Sequence, residues 1–315
     1  MMAACPDCGT ALQHSPPGSY VECPVCGTFV LKSHASAEAE NAAYFDACFQ
    51  EGTRAQIDER KRRVFQRAER QDGQARAAEQ RGFLEQDQRI QALLLQPGKR
   101  VLEIGFGEGV LLARLLTARV EAWGEDLSRT AIENFQHQHP LQAGRVAPPG
   151  VTPGAFDLIY GSALFEHLDD PSTFLRALQP RLRPGGLLIM DQFPLTVAGP
   201  ADLTPANDIC FWKPCHRVLH TLDGLQRAAA AGGFEVVSVA AMDVYNYRVL
   251  SLHRRAGYPA IETIRNSCFS DQRLPTIWHY RWLCWRARWI HSRCHVASAI
   301  LRAASAGNQQ GAPPS

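Results

Sequence analysis

From about residue 97 onward the apolar positions fall into two alternating rhythms. Val101, Leu102 and Ile104 form a short apolar run interrupted by Glu103, and Gly105, Gly107 and Gly109 alternate directly behind it. Leu111, Leu112, Leu115 and Leu116 then recur at helical spacing, so a buried strand is predicted to turn sharply into a helix. The same alternation continues, with strands predicted at residues 120–123, 145–149, 156–160, 187–190 and 234–237. Helices are predicted between them at residues 130–137, from Ser172, and from Leu222 through Ala229. Strands that alternate with helices imply a parallel sheet covered on both faces, and such sheets bind ligands at the carboxyl ends of their strands. A seventh strand is expected within residues 244–252.

The flanks read differently. Residues 44–95 lack proline and carry Phe45, Phe49, Ile57, Val64, Phe65, Phe83, Leu84 and Ile90 at intervals among charged residues, as one or two long helices would. Near the other end, Trp282, Trp285, Trp289, Val296 and Ile300 fall within a narrow arc at 100° per residue and predict a helix over residues 281–301. The arrangement expected is a small N-terminal module (1–32), a helical linker or cap (33–96), an α/β domain (97–250), a basic, Trp-rich helical extension (251–302) and a disordered tail (303–315).

Composition adds little to this picture. A net charge of +2 over 315 residues favours no class of partner. An arginine-rich stretch beyond Ala240 could meet an anionic partner or a membrane surface, although a helix packed on the core explains it more simply. No secretory signal pattern or membrane-spanning apolar run is visible, so a cytoplasmic location with reduced thiols is expected.

The cysteines carry the first chemical signal. Cys5-Pro6-Asp7-Cys8-Gly9 and Cys23-Pro24-Val25-Cys26-Gly27 are two copies of one knuckle. Glycine after the second cysteine permits a turn whose amides face the thiolates, and four thiolates close a tetrahedral Zn2+ site. Cys5, Cys8, Cys23 and Cys26 are therefore the expected ligands of a structural zinc ribbon. So small a module draws much of its folding free energy from the metal.

The glycine turn carries the second. Its spacing departs from G-x-G-x-x-G, and Glu103 beside it would repel a pyrophosphate but suits a ligand bearing an ammonium group or hydroxyls. About twenty residues on, Gly124-Glu125-Asp126-Leu127-Ser128 ends the second strand where such a site meets ribose hydroxyls. Asp126 fits best and Glu125 is the alternative. Downstream stand Phe156-Asp157-Leu158-Ile159, then Glu166-His167-Leu168, then Arg183-Pro184-Gly185-Gly186 before an apolar strand, and later His216 through Thr221 followed by Gly233-Phe234.

Over roughly residues 94–239 this order resembles the class I S-adenosylmethionine-dependent methyltransferases, in the branch containing the ubiquinone-biosynthesis O-methyltransferases. The resemblance implies a Rossmann-like methyltransferase sheet with helices on both faces, preceded here by the zinc ribbon and the helical linker. It implies S-adenosyl-L-methionine as cofactor, bound through Glu103, Gly105, Phe106, Gly107 and Gly109, together with Asp126, Leu127 and Ser162. In the third strand no acidic or amide residue stands where many relatives contact the adenine amino group. His167 is a candidate base, although Glu166-His167 as a turn cap packed against the cofactor's edge is the simpler reading. His216 and His220 fall in the region that lines the acceptor pocket, as bases or as ordinary polar contacts, with Phe211 and Trp212 as further wall residues.

The expected activity is methyl transfer, most simply O-methylation, to a small-molecule or carrier-linked acceptor. RNA or protein as acceptor, gripped by the ribbon and basic segments, is a second reading. A silent cofactor-binding scaffold is a third.

Overall fold

The computed structural model describes residues 4–13, 20–31, 77–197, 216–243 and 292–304, with Leu252, Trp282, 285–287 and Trp289 besides. Its centre is a seven-stranded sheet of β3 (Arg100–Ile104), β4 (Glu121–Glu125), β5 (Val146–Ala147), β6 (Phe156–Ser162), β7 (Leu182–Thr196), β9 (Phe234–Met242) and β10 (Cys294–Ala303). The order is β5-β4-β3-β6-β7-β10-β9, with β10 antiparallel to both neighbours and the other pairs parallel. A second, three-stranded sheet joins β1 (Tyr20–Glu22) and β2 (Phe29–Leu31) to β8 (Val218–Leu219).

Period-two alternation explains why the central strands read as continuous apolar runs, since successive side chains enter cores on opposite faces. On one face Val101, Leu158, Tyr160, Ile189 and Ile300 pack under α1 (Ala77–Leu94), α2 (Val110–Thr117) and α3 (Arg129–Gln138). On the other, Leu102, Ile159, Leu188, Met190 and Leu301 pack under α4 (Pro171–Leu178) and α5 (Leu222–Ala231). Helix starts are marked as their sequences require. Ser128, Asp170 and Thr221 each accept a hydrogen bond from a first-turn amide of α3, α4 and α5.

The structure corrects the reading of the C-terminal region. The seventh strand is residues 294–303, with residues 244–250 outside the described part, and Val296 and Ile300 lie on β10 rather than on a helix that continues the tryptophan arc. Ala303 closes that strand instead of opening a tail. A strand flanked on both sides is apolar on both faces, and over eight or nine residues such a run fits a period of 3.6 as well as a period of 2. The α/β domain therefore takes a central strand from beyond its expected boundary at 250. Of the tryptophan segment, Trp282, Trp285 and Trp289 are exposed. Phe211, Trp212 and residues 44–76 lie outside the described residues. Among the described residues, no helix is long and apolar enough to cross a membrane.

Candidate functional site

The sheet's direction of winding reverses between β3 and β6, because β4 leads away on one side and β6 on the other. The crevice outside their carboxyl ends is where an open α/β sheet binds ligands. Gly105, Gly107 and Gly109 enter it from β3 with φ of 68°, 56° and 69°, a left-handed region that side chains with a Cβ rarely adopt. Gly109 also starts α2, and a Cβ there would overlap the Phe135 ring. The Asp126 carboxylate, at the end of β4, accepts from Gly107 N–H and Ser128 N–H, each at 2.8 Å, and so ties the glycine loop to the second strand.

Glu103 stands at the floor of this loop, only 6% exposed, with Oε2 lacking a hydrogen-bond partner. Burial pushes its carboxyl up to about 8. A buried carboxylate oxygen with nothing to accept from fits a ligand that brings a cationic donor. The remaining expected contacts divide. Leu127 is exposed and Ser162 half-buried at the ends of β4 and β6, whereas the Phe106 side chain is buried edge-on against Phe135 at 5.7 Å and leaves only its backbone to the loop. Glu125, the alternative ribose partner, is engaged elsewhere. Arg181 grips both its oxygens at 2.8 Å, and Gly150 and Thr152 N–H donate to it at 2.9 Å. Burial alone would raise its pKa, but these donors hold it below the ordinary carboxylate range.

Asp191, one residue beyond the strand predicted at residues 187–190, lies inside β7 and belongs to this end of the sheet. It is buried and accepts from Tyr160 Oη at 2.7 Å and from the Ser298 hydroxyl of β10. Ala163 and Gln192, directly after Ser162 and Asp191, both have positive φ, 49° and 53°. Left-handed backbone at residues with side chains concentrates at ligand sites, where the surrounding structure holds it in place.

Beyond β6 the turn Phe165–His167 carries a second group of residues. Glu166, His167 and His216 are all buried, and each histidine Nε2 lies 3.8 Å from Glu166 Oε1. The two imidazoles meet edge to face at 5.2 Å. Glu166 Oε2 has no hydrogen-bond partner. One ligand atom from each of the three lies within 4.8 Å of the others, so this donor set can hold a divalent cation or pass a proton between its members. Of the three candidate histidines, the structure thus brings His167 and His216 together. Glu166 joins them as a member that sequence reading passed over as a turn cap. An acid beside a histidine at the carboxyl end of a central strand was the available signal.

His220 does not join them. It is fully buried, stacked on Phe165 at 4.5 Å, and its Nδ1 donates to Asp7 Oδ2 of the first cysteine knuckle at 2.9 Å. Four residues beyond His216 and on the far side of β8, its ring is turned to the N-terminal module rather than to an acceptor pocket.

That module is a pair of matching knuckles. Gly9 N–H donates to Cys5 O and Gly27 N–H to Cys23 O, at 2.8 and 2.9 Å, and both glycines have φ near 70°. Cys5 Sγ lies 3.6 Å from Cys26 Sγ and Cys8 Sγ 3.5 Å from Cys23 Sγ, all four as free thiols. Four sulfurs at about 2.3 Å from one Zn2+ would stand about 3.8 Å apart, so the donor set fits that ion.

Comparison with known proteins agrees with this geometry. A family model described as "Methyltransferase domain" matches residues 70–239, more than half of the chain. Ubiquinone biosynthesis O-methyltransferase of Ralstonia nicotianae is 33% identical over 106 residues, which are 31% of this chain and 44% of that protein. The Chromobacterium violaceum protein of the same name is 32% identical over 98 residues, 28% of this chain and 42% of its own. The chain thus spans less than half the length of these curated relatives. Among solved structures, an S-adenosylmethionine-dependent methyltransferase from Geobacter sulfurreducens with S-adenosyl-L-homocysteine superposes with a TM-score of 0.41 at 17% identity, covering 68% of this chain and 88% of that one. An O-methyltransferase from a polyketide synthase of Brevibacillus brevis gives 0.44 at 12% identity, covering 65% and 67%. It is the family match, not these distant likenesses, that places the protein: this chain belongs to the methyltransferase-domain family, with the Rossmann-like architecture of the class I, S-adenosylmethionine-dependent branch.

Proposed function

We propose that the protein transfers a methyl group from S-adenosylmethionine to an oxygen of a small-molecule or carrier-linked acceptor. The observation that carries this reading is the unpartnered, buried Oε2 of Glu103 beside the glycine loop, with His216 brought against Glu166 and His167 of the turn after the neighbouring strand β6. When bound, the cofactor supplies an electrophilic methyl on a sulfonium sulfur. Glu103 would take its ammonium group, Asp126 its ribose hydroxyls, and the glycine backbone its close approach. Leu127 and Ser162, at the ends of β4 and β6, would line the same crevice.

An acceptor hydroxyl must lose a proton as its oxygen becomes a nucleophile, and the Glu166, His167 and His216 cluster is built to receive it. His216 or His167 takes the proton, with the Glu166 carboxylate stabilising the imidazolium at 3.8 Å. A divalent cation on the same donors would orient the hydroxyl and lower its pKa instead. Cys5, Cys8, Cys23 and Cys26 would hold a structural Zn2+, and four thiolates would leave no open coordination position for chemistry. The match to ubiquinone-biosynthesis O-methyltransferases supports an oxygen acceptor.

The test is transfer of label from methyl-labelled S-adenosylmethionine into a fractionated cell extract. Label in the small-molecule or organic-extractable fraction, abolished in Glu103→Gln, is the expected result. Label confined to RNA or protein would replace this acceptor class with a macromolecule. No label in any fraction despite measurable S-adenosylhomocysteine binding would leave a cofactor-binding scaffold.

A further inference from the structure

The segment from His216 to Thr221 is a strap with the cysteine ribbon on one side and the methyltransferase sheet on the other. Towards the ribbon, Tyr20 Oη donates to His216 O at 2.7 Å and Leu31 N–H to Arg217 O at 2.8 Å. Val218 and Leu219 pair with Val30 and Phe29, and the Thr221 hydroxyl donates to the Cys26 carbonyl. Towards the sheet, Arg217 N–H donates to Glu166 O at 2.6 Å, and Thr196 donates to His220 O through both N–H and hydroxyl, at 2.7 and 3.0 Å. His216, at the head of the strap, belongs to the proton-accepting cluster.

Asp7 is the centre of this contact. It stands between two of the cysteines in sequence, and its side chain reaches across to Thr28 and His220. Its Oδ2 accepts from Thr28 Oγ1 at 2.7 Å and from His220 Nδ1 at 2.9 Å, and both Asp7 and His220 side chains are wholly buried. The fit is close enough that a Cβ on Gly224, in the first turn of α5, would overlap both Thr28 Oγ1 and Asp7 Oδ2. A freely tethered recognition module would not share a sheet, a buried Asp7–His220 hydrogen bond and such a contact with its neighbour.

We propose that the metal-loaded ribbon is a positioning element of the acceptor site, which holds His216 against Glu166 and His167 through Asp7, His220 and the β2–β8 pairing. This rests on the zinc reading of the cysteines and on the acceptor role of the cluster. Glu103, the glycine loop and Asp126 hang on β3, β4 and α2 and do not pass through the strap, so the two halves of the site separate when the ribbon is released.

The experiment uses the full-length protein in three forms: untreated, stripped of metal by a chelator with thiol reductant, and as Asp7→Ala. Metal analysis comes first, followed by hydrogen exchange and titration with S-adenosylhomocysteine. Stripping is expected to raise exchange in peptides covering residues 216–221 by about tenfold or more, while peptides over residues 101–109 and S-adenosylhomocysteine affinity change by less than about twofold. Asp7→Ala keeps its zinc but shows the same local loss, with kcat lowered and cofactor affinity kept. Asp7→Asn, which retains an acceptor oxygen for Thr28 and His220, restores both.

Unchanged strap protection in the stripped and Asp7→Ala proteins would overturn the proposal and make the ribbon an independent module. Simultaneous loss of strap protection and cofactor binding would also overturn it, by making the ribbon a general stability element. A protein that contains no zinc as purified would refute the metal reading alone. Asp7→Ala would then still decide whether the ribbon positions the strap.

Discussion

Glu103 makes the cofactor assignment testable by pH. Its carboxyl titrates ordinarily near 4.5, and burial raises it to about 8 in the folded chain. The folded protein therefore holds a proton that the unfolded chain has released between those values, and its stability falls as pH rises through that window. The slope is about 1.4 kcal/mol for each pH unit, and it ends near pH 8, where the folded carboxyl also ionises. A ligand that brings an ammonium group to Oε2 favours the ionised form, so binding at pH 6 must displace the proton. Affinity for S-adenosylhomocysteine should rise by close to tenfold per pH unit from 6 towards 8, with proton release on binding. Calorimetry in buffers of different ionisation enthalpy measures both. Glu103→Gln, neutral at every pH and close in shape, should bind weakly, give a flat profile across that range and lose the pH-dependent part of apo stability. An affinity that is flat with pH in the wild type, or a Gln variant that binds as tightly, would mean that Glu103 does not face the cofactor.

Further predictions follow from single contacts. Gly109→Ala combines left-handed φ with overlap on Phe135 and should cost roughly 3 kcal/mol in denaturant unfolding; a loss below about 1 kcal/mol would show that the ring yields freely. Arg181→Met strands the buried Glu125 carboxylate and should destabilise by about 3 kcal/mol at pH 7. The wild type's contribution from Glu125, whose pKa is depressed, is present above the unfolded value and lost as pH falls, so the variant's deficit should shrink in acid. Cys5→Ser should take bound zinc from about one per chain towards none by metal analysis, and full occupancy would mean other ligands hold it. His216→Ala should lower kcat by roughly a hundredfold or more while leaving S-adenosylhomocysteine affinity unchanged; equal losses in both would make it a cofactor contact.

Much of the α/β domain was legible because its signals are local. The glycine loop after an apolar strand requires positive φ at positions a reader can name, and it appears at Gly105, Gly107 and Gly109 as expected. The cysteine knuckles were legible for the same reason, since repeated spacing and a following glycine fix their turn without reference to the rest of the chain. β10 was not legible. Its ten residues carry burial on both faces, and the nearest periodic features, the tryptophans, belong to a different segment. Asp191 was hidden in the same way, because the strand that contains it runs past Pro194 to Thr196, with Pro194 opposite Val296 of β10 rather than ending the strand.

The acceptor side was the least legible part, for a reason that bears on how the protein works. Glu166 and His167 come from the turn after β6, His216 from a strap some fifty residues later, and what holds that strap comes from the first thirty residues. No local pattern can display a contact between Asp7 and His220, which lie 213 positions apart. Each carries a polar atom with no partner at that interface, Asp7 Oδ1 and His220 Nε2. A buried hydrogen-bonded pair so incompletely satisfied contributes little net stability over an apolar contact, but losing one partner is costly because the other is left buried and unsatisfied. Such a pair selects one docking geometry more than it strengthens docking. If, as proposed, the geometry it selects sets where His216 stands, acceptor chemistry depends on the ribbon while cofactor binding depends on the sheet.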